Sequence, residues 1–178
     1  NDGSSSNDVG GLSSTDLTGL QMGASGMGYG NLEILQVLLG TGGETLNVTG
    51  TADGMITAVH GGGGADNIIV TGRGDTPLVV YGDTSEDRGQ YASSVGDIEP
   101  GLANDFTNDG EDTIDASGSS QSVVIYGGSQ NDIITGSQDD DHLAGGAGGD
   151  TVNGEAGADH IYGDSHFNVD LMLFTQDQ

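Results

Sequence analysis

Four aspartates near the C-terminal end of the sequence recur at a spacing of nine residues. They are Asp132, Asp141, Asp150 and Asp159. If two nine-residue units form one coil of a stacked structure, Asp132 lies beside Asp150 and Asp141 lies beside Asp159. Such neighbouring carboxylates repel each other by roughly 1 kcal/mol in bulk water, and by several-fold more in a less polar turn. Carboxylate oxygens in turns, in a chain without cysteine, are ligands of a hard cation and suit calcium better than zinc.

The residues around these aspartates repeat with the same period and predict the elements that position them. Residues 127–162 read GGSQNDIIT, GSQDDDHLA, GGAGGDTVN and GEAGADHIY. The first six positions of each unit are small or polar and predict a tight turn, because glycine gives the backbone access to left-handed conformations. The last three positions predict a short strand whose middle side chain points inward. These inward residues are Ile134, Leu143, Val152 and Ile161. Coils stacked about 4.8 Å apart would bury them as one column.

This pattern resembles the RTX (repeats-in-toxin, hemolysin-type) nonapeptide G-G-x-G-x-D-x-U-x. The resemblance implies a β-roll in which calcium lies between one turn and the next turn on the same side. It implies one ion between Gly127–Asp132 and Gly145–Asp150, and another between Gly136–Asp141 and Gly154–Asp159. We therefore predict an all-β fold, a parallel β-solenoid with glycine/Asp turns and short strands. The crossover rule for parallel strands makes it right-handed.

The resemblance also assigns a set of residues to the metal sites, and several calcium ions to the chain. In the four regular units they are Gly127, Ser129, Asp132, Gly136, Gln138, Asp141, Gly145, Ala147, Gly148, Asp150, Gly154, Ala156, Gly157 and Asp159. Outside these units we add Asp66, Asp87, Asp112 and Asp164. The family has glycine at the fourth position, where the first two units carry Gln130 and Asp139.

Composition narrows the classes of function. The chain of 178 residues holds 28 Asp and Glu against 2 Lys and Arg, a formal net charge of −26. Such a charge excludes ordinary nucleic-acid binding and disfavours anionic membranes, and no long apolar span predicts membrane insertion. An acidic disordered tail or a halophile-like surface would also be acidic. Apolar runs bounded by glycine, such as Leu78–Tyr81 and Val123–Tyr126, argue against disorder. Without cysteine, no disulfide can brace the fold.

The pattern divides the chain into five segments. Residues 1–39 are a polar lead-in and longer strands that form N-terminal coils or a cap. Residues 40–87 are irregular RTX-like coils, and residues 88–108 are an inserted loop. Residues 109–168 form the regular β-roll, and residues 169–178 form a terminal strand or continue into a longer protein.

Two longer strands are predicted in the first segment, at Leu17–Met22 and Leu32–Gly40. The second has apolar residues on both faces, which suits a strand covered on both sides or an end cap. A short amphipathic helix is the weaker interpretation, because turn residues flank both ends.

A less regular form of the nine-residue pattern predicts the register of residues 40–87. Carboxylates are expected at Glu44, Asp53, Asp66 and Asp75, with inward positions at Leu46, Met55, Ile68 and Pro77. The run LVVYGDTSED then aligns with VVIYGGSQND, which matches Tyr81 with Tyr126 and Asp87 with Asp132. The segment TNDGEDTID reads as one more unit with Asp112 and Ile114 in register. The unit that starts at Gly118 has no carboxylate at its sixth position, so we expect a coil without an ion on that side.

Three other features invite more specific hypotheses. Arg73-Gly74-Asp75 spells the integrin-binding tripeptide, but Asp75 already has a place in the repeat. His142 and His160 both occupy the seventh position and are predicted to stack on an outer face, as a solvated pair or a transition-metal site. Tyrosines precede three turn glycines and are expected to pack along the edge of the coils. They are Tyr81, Tyr126 and Tyr162.

Calcium-dependent folding of a non-catalytic module is the function that these observations favour. Two arginines and no lysine leave little from which to build a catalytic cationic clamp. We expect a segment of a secreted or cell-surface bacterial protein that serves as scaffold, adhesin or filament. Its partners would be neighbouring copies, joined head to tail, or adjoining domains. The alternative is the calcium-folding appendage of a secreted protease or lipase. The resemblance implies type I secretion, and ice or sugar binding lacks the regular ladder it needs.

Overall fold

The computed structural model describes residues 6–83 and 109–163. In these ranges the chain forms fourteen β-strands and no helix. The strands are β1 (Val9–Leu12), β2 (Asp16–Gly19), β3 (Met27–Gly28), β4 (Ile34–Leu38), β5 (Thr45–Val48), β6 (Ile56–Gly62), β7 (Asn67–Val70), β8 (Leu78–Asp83), β9 (Thr113–Asp115), β10 (Val124–Ser129), β11 (Ile133–Thr135), β12 (His142–Ala147), β13 (Thr151–Asn153) and β14 (His160–Tyr162). The strand predicted at Leu32–Gly40 is confirmed as the shorter β4, which pairs with β6, and the weaker helical interpretation is wrong.

The strands form two sheets that face each other across the core. The first sheet has the order β13-β11-β9-β7-β5-β1-β2-β3, and the second has the order β14-β12-β10-β8-β6-β4. From β4 to β14 successive strands alternate between the sheets, so that neighbours within a sheet are parallel and one coil apart. This confirms the predicted parallel β-solenoid.

The length of one coil changes along the chain. In the C-terminal part Ile133 pairs with Thr151 and His142 pairs with His160, which confirms the predicted spacing of eighteen residues. In the N-terminal part Thr45 pairs with Asn67, so the coil is 22 residues long. The nine-residue register predicted for the earlier coils is therefore wrong in part, because a longer loop separates the strands.

Asp53 and Asp75 show the consequence of this longer coil. Both were expected at the carboxylate position, but both are exposed, Asp53 in the loop between β5 and β6 and Asp75 in the loop between β7 and β8. Asp75 Oδ1 accepts a hydrogen bond from Gly54 N at 2.8 Å, and Asp53 Oδ1 accepts one from Asp75 N at 3.1 Å. Pro77 was expected to point inward, but it is exposed, and the neighbouring Leu78 is buried in its place.

Two aliphatic columns fill the core, one from each sheet. Their central members are Leu46, Ile68, Ile114 and Ile134 from the first sheet, and Val59, Val80, Ile125 and Leu143 from the second. All eight are fully buried, and each such burial contributes about 1.5–3 kcal/mol. The inward prediction is confirmed for Ile134 and Leu143. Ile161 pairs in register with Leu143 and so lies on the same face, but it is 49% exposed because β14 is the last described strand of its sheet.

The N-terminal end interrupts the parallel order. Strand β2 pairs antiparallel with β1, and β3 pairs antiparallel with β2. The predicted strand Leu17–Met22 is shorter, because Leu20 and Gln21 have left-handed φ values of 48° and 56°. Strand β4 is the terminal strand of the second sheet, but it is not covered on both faces, since Ile34 is 60% exposed.

Across the described residues, none of the chain forms a helix long and apolar enough to cross a membrane.

Candidate metal centre

Carboxylates line the edge of the first sheet, at the residue immediately before each of its parallel strands. These strands pair in register, so the carboxylates form a column from coil to coil. The column consists of Asp8, Glu44, Asp66, Asp112, Asp132 and Asp150. We call it the first column. It places Asp132 beside Asp150, as the spacing predicted.

The equivalent position on the second sheet changes character along the chain. Its members are Leu35, Thr57, Leu78, Val123, Asp141 and Asp159, which we call the second column. Only the last two carry a carboxylate. Val123 occupies the position that the sequence predicted to lack one. The first four members are buried, and Leu35, Leu78 and Val123 belong to the hydrophobic core.

One hydrogen bond repeats along both columns and fixes the orientation of the carboxylates. Wherever the next member of a column is Asp, the backbone N–H of the preceding member donates to its Oδ1, at 3.0 Å from Asp132 N to Asp150 and at 3.0 Å from Asp141 N to Asp159. The same bond joins Asp66 N to Asp112 and Asp112 N to Asp132, each at 2.8 Å. One oxygen of each accepting carboxylate is therefore occupied, which leaves the other to face into the turn.

These second oxygens are buried without a hydrogen-bond partner in three members of the first column. They are Oδ2 of Asp66, Asp112 and Asp132, whose side chains are 1–2% exposed. An unpaired buried carboxylate oxygen costs several kcal/mol of folding free energy unless a positive group compensates it. The three oxygens therefore point to a cation.

Backbone carbonyls approach the same space from the neighbouring coil. An added Cβ on Gly136 would lie 2.5 Å from Asp141 Oδ2 and 2.7 Å from the carbonyl oxygen of Gly154. Both oxygens therefore face one small volume that only glycine leaves open. Calcium accepts this mixture of carboxylate and carbonyl oxygens.

The same arrangement recurs at three first-column turns. An added Cβ would lie under 3.0 Å from a carboxylate Oδ2 and from a carbonyl oxygen of the next coil at each of them. The glycine, carboxylate and carbonyl are Gly61 with Asp66 and Gly82, Gly82 with Asp112 and Gly127, and Gly127 with Asp132 and Gly145. Glycine is therefore required at the first position of these turns.

Electrostatics support a cation at these turns. Burial, with a smaller contribution from neighbouring carboxylates, raises the pKa of Asp66 and Asp112 to about 8 and the pKa of Asp132 to about 6, against the lowering effect of a backbone hydrogen bond at each. The sequence has two cationic side chains besides histidine, Arg73 and Arg88. Arg73 donates to Ser122 O at 2.6 Å, and Arg88 lies outside the described residues. In the part of the chain that the structure describes, no cationic side chain compensates these charges.

Side chains alone do not complete a metal site. Within residues 6–83 and 109–163 no three acidic, histidine or cysteine side chains converge on one point. Calcium takes six to eight oxygen ligands, so backbone carbonyls must supply most of them. The residues present fit this donor set, because the turns already direct carbonyls toward the carboxylates.

The other predicted site residues take different places around the turns. Gly145 and Gly154 lie close to the carboxylates of their own turns. An added Cβ would lie 2.3 Å from Oδ2 of Asp150 or Asp159. Gly148 and Gly157 have φ values of 154° and 134°, and an added Cβ would strike the carbonyl of Gln130 or Asp139. Ser129 donates its N–H to Asp83 Oδ2, Gln138 donates its N–H to Ser119 O, and Ala147 and Ala156 are exposed.

Asp87 and Asp164 lie outside the described residues. The predicted alignment of Asp87 with Asp132 is nevertheless wrong. Thr113 pairs with both Asn67 and Ile133, so Asp112 holds the sixth position of the turn that begins at Gly82. The alignment of Tyr81 with Tyr126 is confirmed.

Sequence reasoning missed Asp83. Its side chain is 4% exposed, and its Oδ2 accepts a hydrogen bond from Ser129 N at 2.7 Å. Burial and the charge of Asp109 raise its pKa to about 7, against the lowering effect of its backbone hydrogen bonds. The sequence did offer a signal for Asp83. It directly follows the turn glycine Gly82, just as Gly128 follows Gly127, and the strand register places it beside Gly62. Glu44, fully buried, was also left out of the predicted site.

The remaining predicted features make contacts within and between the coils. Arg73 donates to Gly74 O, Thr76 O and Ser122, so the guanidinium fixes a loop. His142 and His160 are neighbours with ring centroids 4.8 Å apart and planes tilted by 59°. Tyr81 stacks on Tyr126 at 4.9 Å and on His60 at 4.6 Å, which confirms packing along the coils for two of the three tyrosines.

Comparison with protein families gives one match. The model of the RTX calcium-binding nonapeptide repeat (4 copies) matches residues 106–143, 124–152 and 135–165. No curated protein and no solved structure matches the chain. The match covers the turns of Asp112, Asp132 and Asp141, where a carboxylate and a carbonyl oxygen meet at a glycine, and also the turns of Asp150 and Asp159. RTX repeats bind several calcium ions per stretch, and their β-solenoid is a structural rather than a catalytic fold. Residues 106–165 therefore carry several copies of the RTX calcium-binding nonapeptide repeat.

Proposed function

We propose that this chain is a structural module of a secreted or cell-surface bacterial protein that folds when it meets extracellular calcium. RTX repeats are typical of secreted bacterial proteins. Extracellular calcium modules bind their ions at about 10⁻⁴–10⁻³ M, which matches millimolar calcium outside cells. The formal net charge of −26 keeps the chain expanded where calcium is scarce.

The observation that carries this proposal is the row of buried, unpaired carboxylate oxygens on Asp66, Asp112 and Asp132. The chain holds the oxygens in place through the repeated N–H to Oδ1 bond, and it keeps water out by stacking the coils. Calcium would supply the positive charge that the chain lacks. In the regular coils, Asp132 and Asp141 would each hold an ion together with a carbonyl of the next coil, from Gly145 and Gly154 respectively.

Beyond calcium binding, we propose a scaffold, adhesin or filament segment without catalytic activity. The module stacks parallel strands along one axis, and the last described strands β13 and β14 each have a sheet edge with no described neighbour. A further coil, an adjoining domain or a second copy can add to such an edge. At the other end the antiparallel strands β2 and β3 close the first sheet.

A calcium titration of the chain tests the proposal. Far-UV circular dichroism and hydrodynamic radius should report an expanded chain in excess chelator and a compact β-rich chain in millimolar calcium. Magnesium at equal concentration should be much less effective, because it demands octahedral geometry and gives up water reluctantly. A compact, fully β-rich chain in chelator would contradict calcium-driven folding.

A pair of matched variants separates site loss from general charge loss. Asp132→Asn removes one formal charge inside a turn, and Glu33→Gln removes one at an exposed position before β4. The calcium midpoint is the calcium concentration at half-maximal folding. We expect Asp132→Asn to raise this midpoint and Glu33→Gln to lower it slightly or leave it unchanged. Equal midpoints for the two variants would show that only net charge matters.

A further inference from the structure

We propose that Gly82–Asp83 and Asp109–Asp112 together form one calcium-binding turn of the nonapeptide type, although residues 84–108 separate them in the sequence. The inference rests on the proposed calcium-dependent function and extends it to a turn that no continuous motif reveals. Both segments are described in the structure, so the site does not involve the residues between them.

Strand register aligns the two segments with the turns above and below. Asp83 pairs with Gly62, and Thr113 pairs with Asn67, so the segments begin and end beside Gly61–Asp66. Together they supply as many residues as that uninterrupted turn. An added Cβ on Gly110 would strike the carbonyl of Gly64, just as one on Gly64 would strike the carbonyl of Gly42. The two segments therefore complete one turn.

The completed turn has the features of the other metal turns. Oδ2 of Asp112 has no hydrogen-bond partner, and the side chain is 1% exposed. An added Cβ on Gly82 would lie under 3.0 Å from this oxygen and from the carbonyl oxygen of Gly127. The carbonyl of Gly82 in turn approaches Oδ2 of Asp66 in the preceding coil. Gly82 thus takes part in two neighbouring turns. Its Cα lies next to the carboxylate of Asp112, and its carbonyl lies next to the carboxylate of Asp66.

Asp83 holds the two segments together where the backbone does not run directly from one to the other. Its Oδ1 accepts a hydrogen bond from Gly110 N at 3.4 Å, which joins the two segments. Its Oδ2 accepts one from Ser129 N at 2.7 Å, which joins them to the next coil. The corresponding residue in regular turns is glycine, with φ values of 126° at Gly128 and 108° at Gly146. Asp83 is therefore a positioning residue, and both ends of the segment 84–108 are fixed at one ion site.

Counting bound calcium by native mass spectrometry tests the split turn. A continuous nonapeptide that begins at Gly82 would place its ligand at Asp87, whereas the split turn places it at Asp112. We expect Asp112→Asn to bind one calcium fewer than the parent chain and Asp87→Asn to bind the same number. Loss of an ion from Asp87→Asn, or full occupancy in Asp112→Asn, would overturn the proposal.

A chain lacking residues 84–108 provides a second test, which also serves if Asp112→Asn does not fold. This deletion joins Asp83 directly to Asp109 and produces the uninterrupted unit GDDGEDTID. We expect the full number of ions and an unchanged or lower calcium midpoint. A chain that loses an ion on this deletion would contradict the split turn.

Asp132→Asn separates this inference from the proposed function. If Asp132→Asn loses an ion while Asp112→Asn keeps all of them, the split turn is wrong and the proposed function stands. If Asp132→Asn also keeps every ion, the proposed function itself fails, and with it the split turn that rests on it.

Discussion

The two ends of the solenoid use the same structural position for opposite purposes. From Asp132 to Gly163 the residue before each strand is Asp in both columns. In residues 34–83 the first column keeps its carboxylates, but the second column has Leu35, Thr57 and Leu78. All three side chains are buried, and the two leucines pack in the hydrophobic core. The N-terminal coils thus replace a metal site by apolar packing on one of their two sides.

This difference teaches how a solenoid can vary its dependence on calcium. A buried aliphatic side chain contributes about 1.5–3 kcal/mol without any ion. A buried carboxylate costs several kcal/mol unless a cation compensates it. We therefore expect the C-terminal coils to need calcium on both sides and the N-terminal coils to need it on one side only.

Gly127→Ala should break the C-terminal coils and give the largest effect. The new methyl group would occupy the space between Asp132 Oδ2 and the carbonyl of Gly145. Loss of the ion and the steric conflict together should cost about 3–5 kcal/mol in millimolar calcium. Urea unfolding measures the loss. Gly23→Ala is the control, because an added Cβ there meets nothing within 4 Å.

Leu78→Ala should break the apolar side of the N-terminal coils. Leu78 is fully buried, and its truncation should cost about 2–5 kcal/mol. The calcium concentration at half-maximal folding of the C-terminal coils should change little, because no ligand is lost. Urea unfolding gives the cost, and a calcium titration followed by hydrogen exchange in β11–β14 gives the midpoint. A large midpoint shift would show that this position belongs to a metal site.

Asp150→Ala and Asp75→Ala sharpen the comparison between a column carboxylate and a loop carboxylate. Asp150 accepts the N–H of Asp132 within the first column, and its loss should raise the calcium midpoint and cost about 2 kcal/mol. The exposed Asp75 side chain accepts one hydrogen bond, from the N–H of Gly54. Its replacement by alanine should therefore cost about 1 kcal/mol or less. Equal calcium midpoints would show that the column register is wrong.

The pH dependence should reverse sign between chelator and calcium, with the smallest effect of the four. Burial raises the pKa of Asp66 and Asp112 to about 8, so folded coils without metal retain protons that the unfolded chain releases. In chelator, residual stability is therefore present at low pH and is lost as pH rises toward 8. In calcium, protons compete with the ion, so stability rises with pH. Circular dichroism from pH 5 to pH 8 measures both trends.

The regular turns could be predicted from the sequence, because each one is continuous and its spacing is fixed. The pairing of Asp132 with Asp150 follows from that spacing alone. The N-terminal coils could not be predicted in the same way, since the exposed Asp53 and Asp75 imitate the nine-residue pattern while the true neighbours, Glu44 and Asp66, stand 22 residues apart. Nor could the spacing reveal that Asp112 completes the turn of Gly82, because residues 84–108 intervene.

Hydrogen exchange measured by mass spectrometry, in calcium and in chelator, tests the central claim most directly. The claim is that calcium at the buried carboxylates holds the coils together, most of all where both columns are acidic. We predict that amides of β11–β14 are protected in millimolar calcium and exchange freely in chelator. The core strands β4, β6 and β8 should retain more protection. Equal protection of β11–β14 in both conditions would contradict the account.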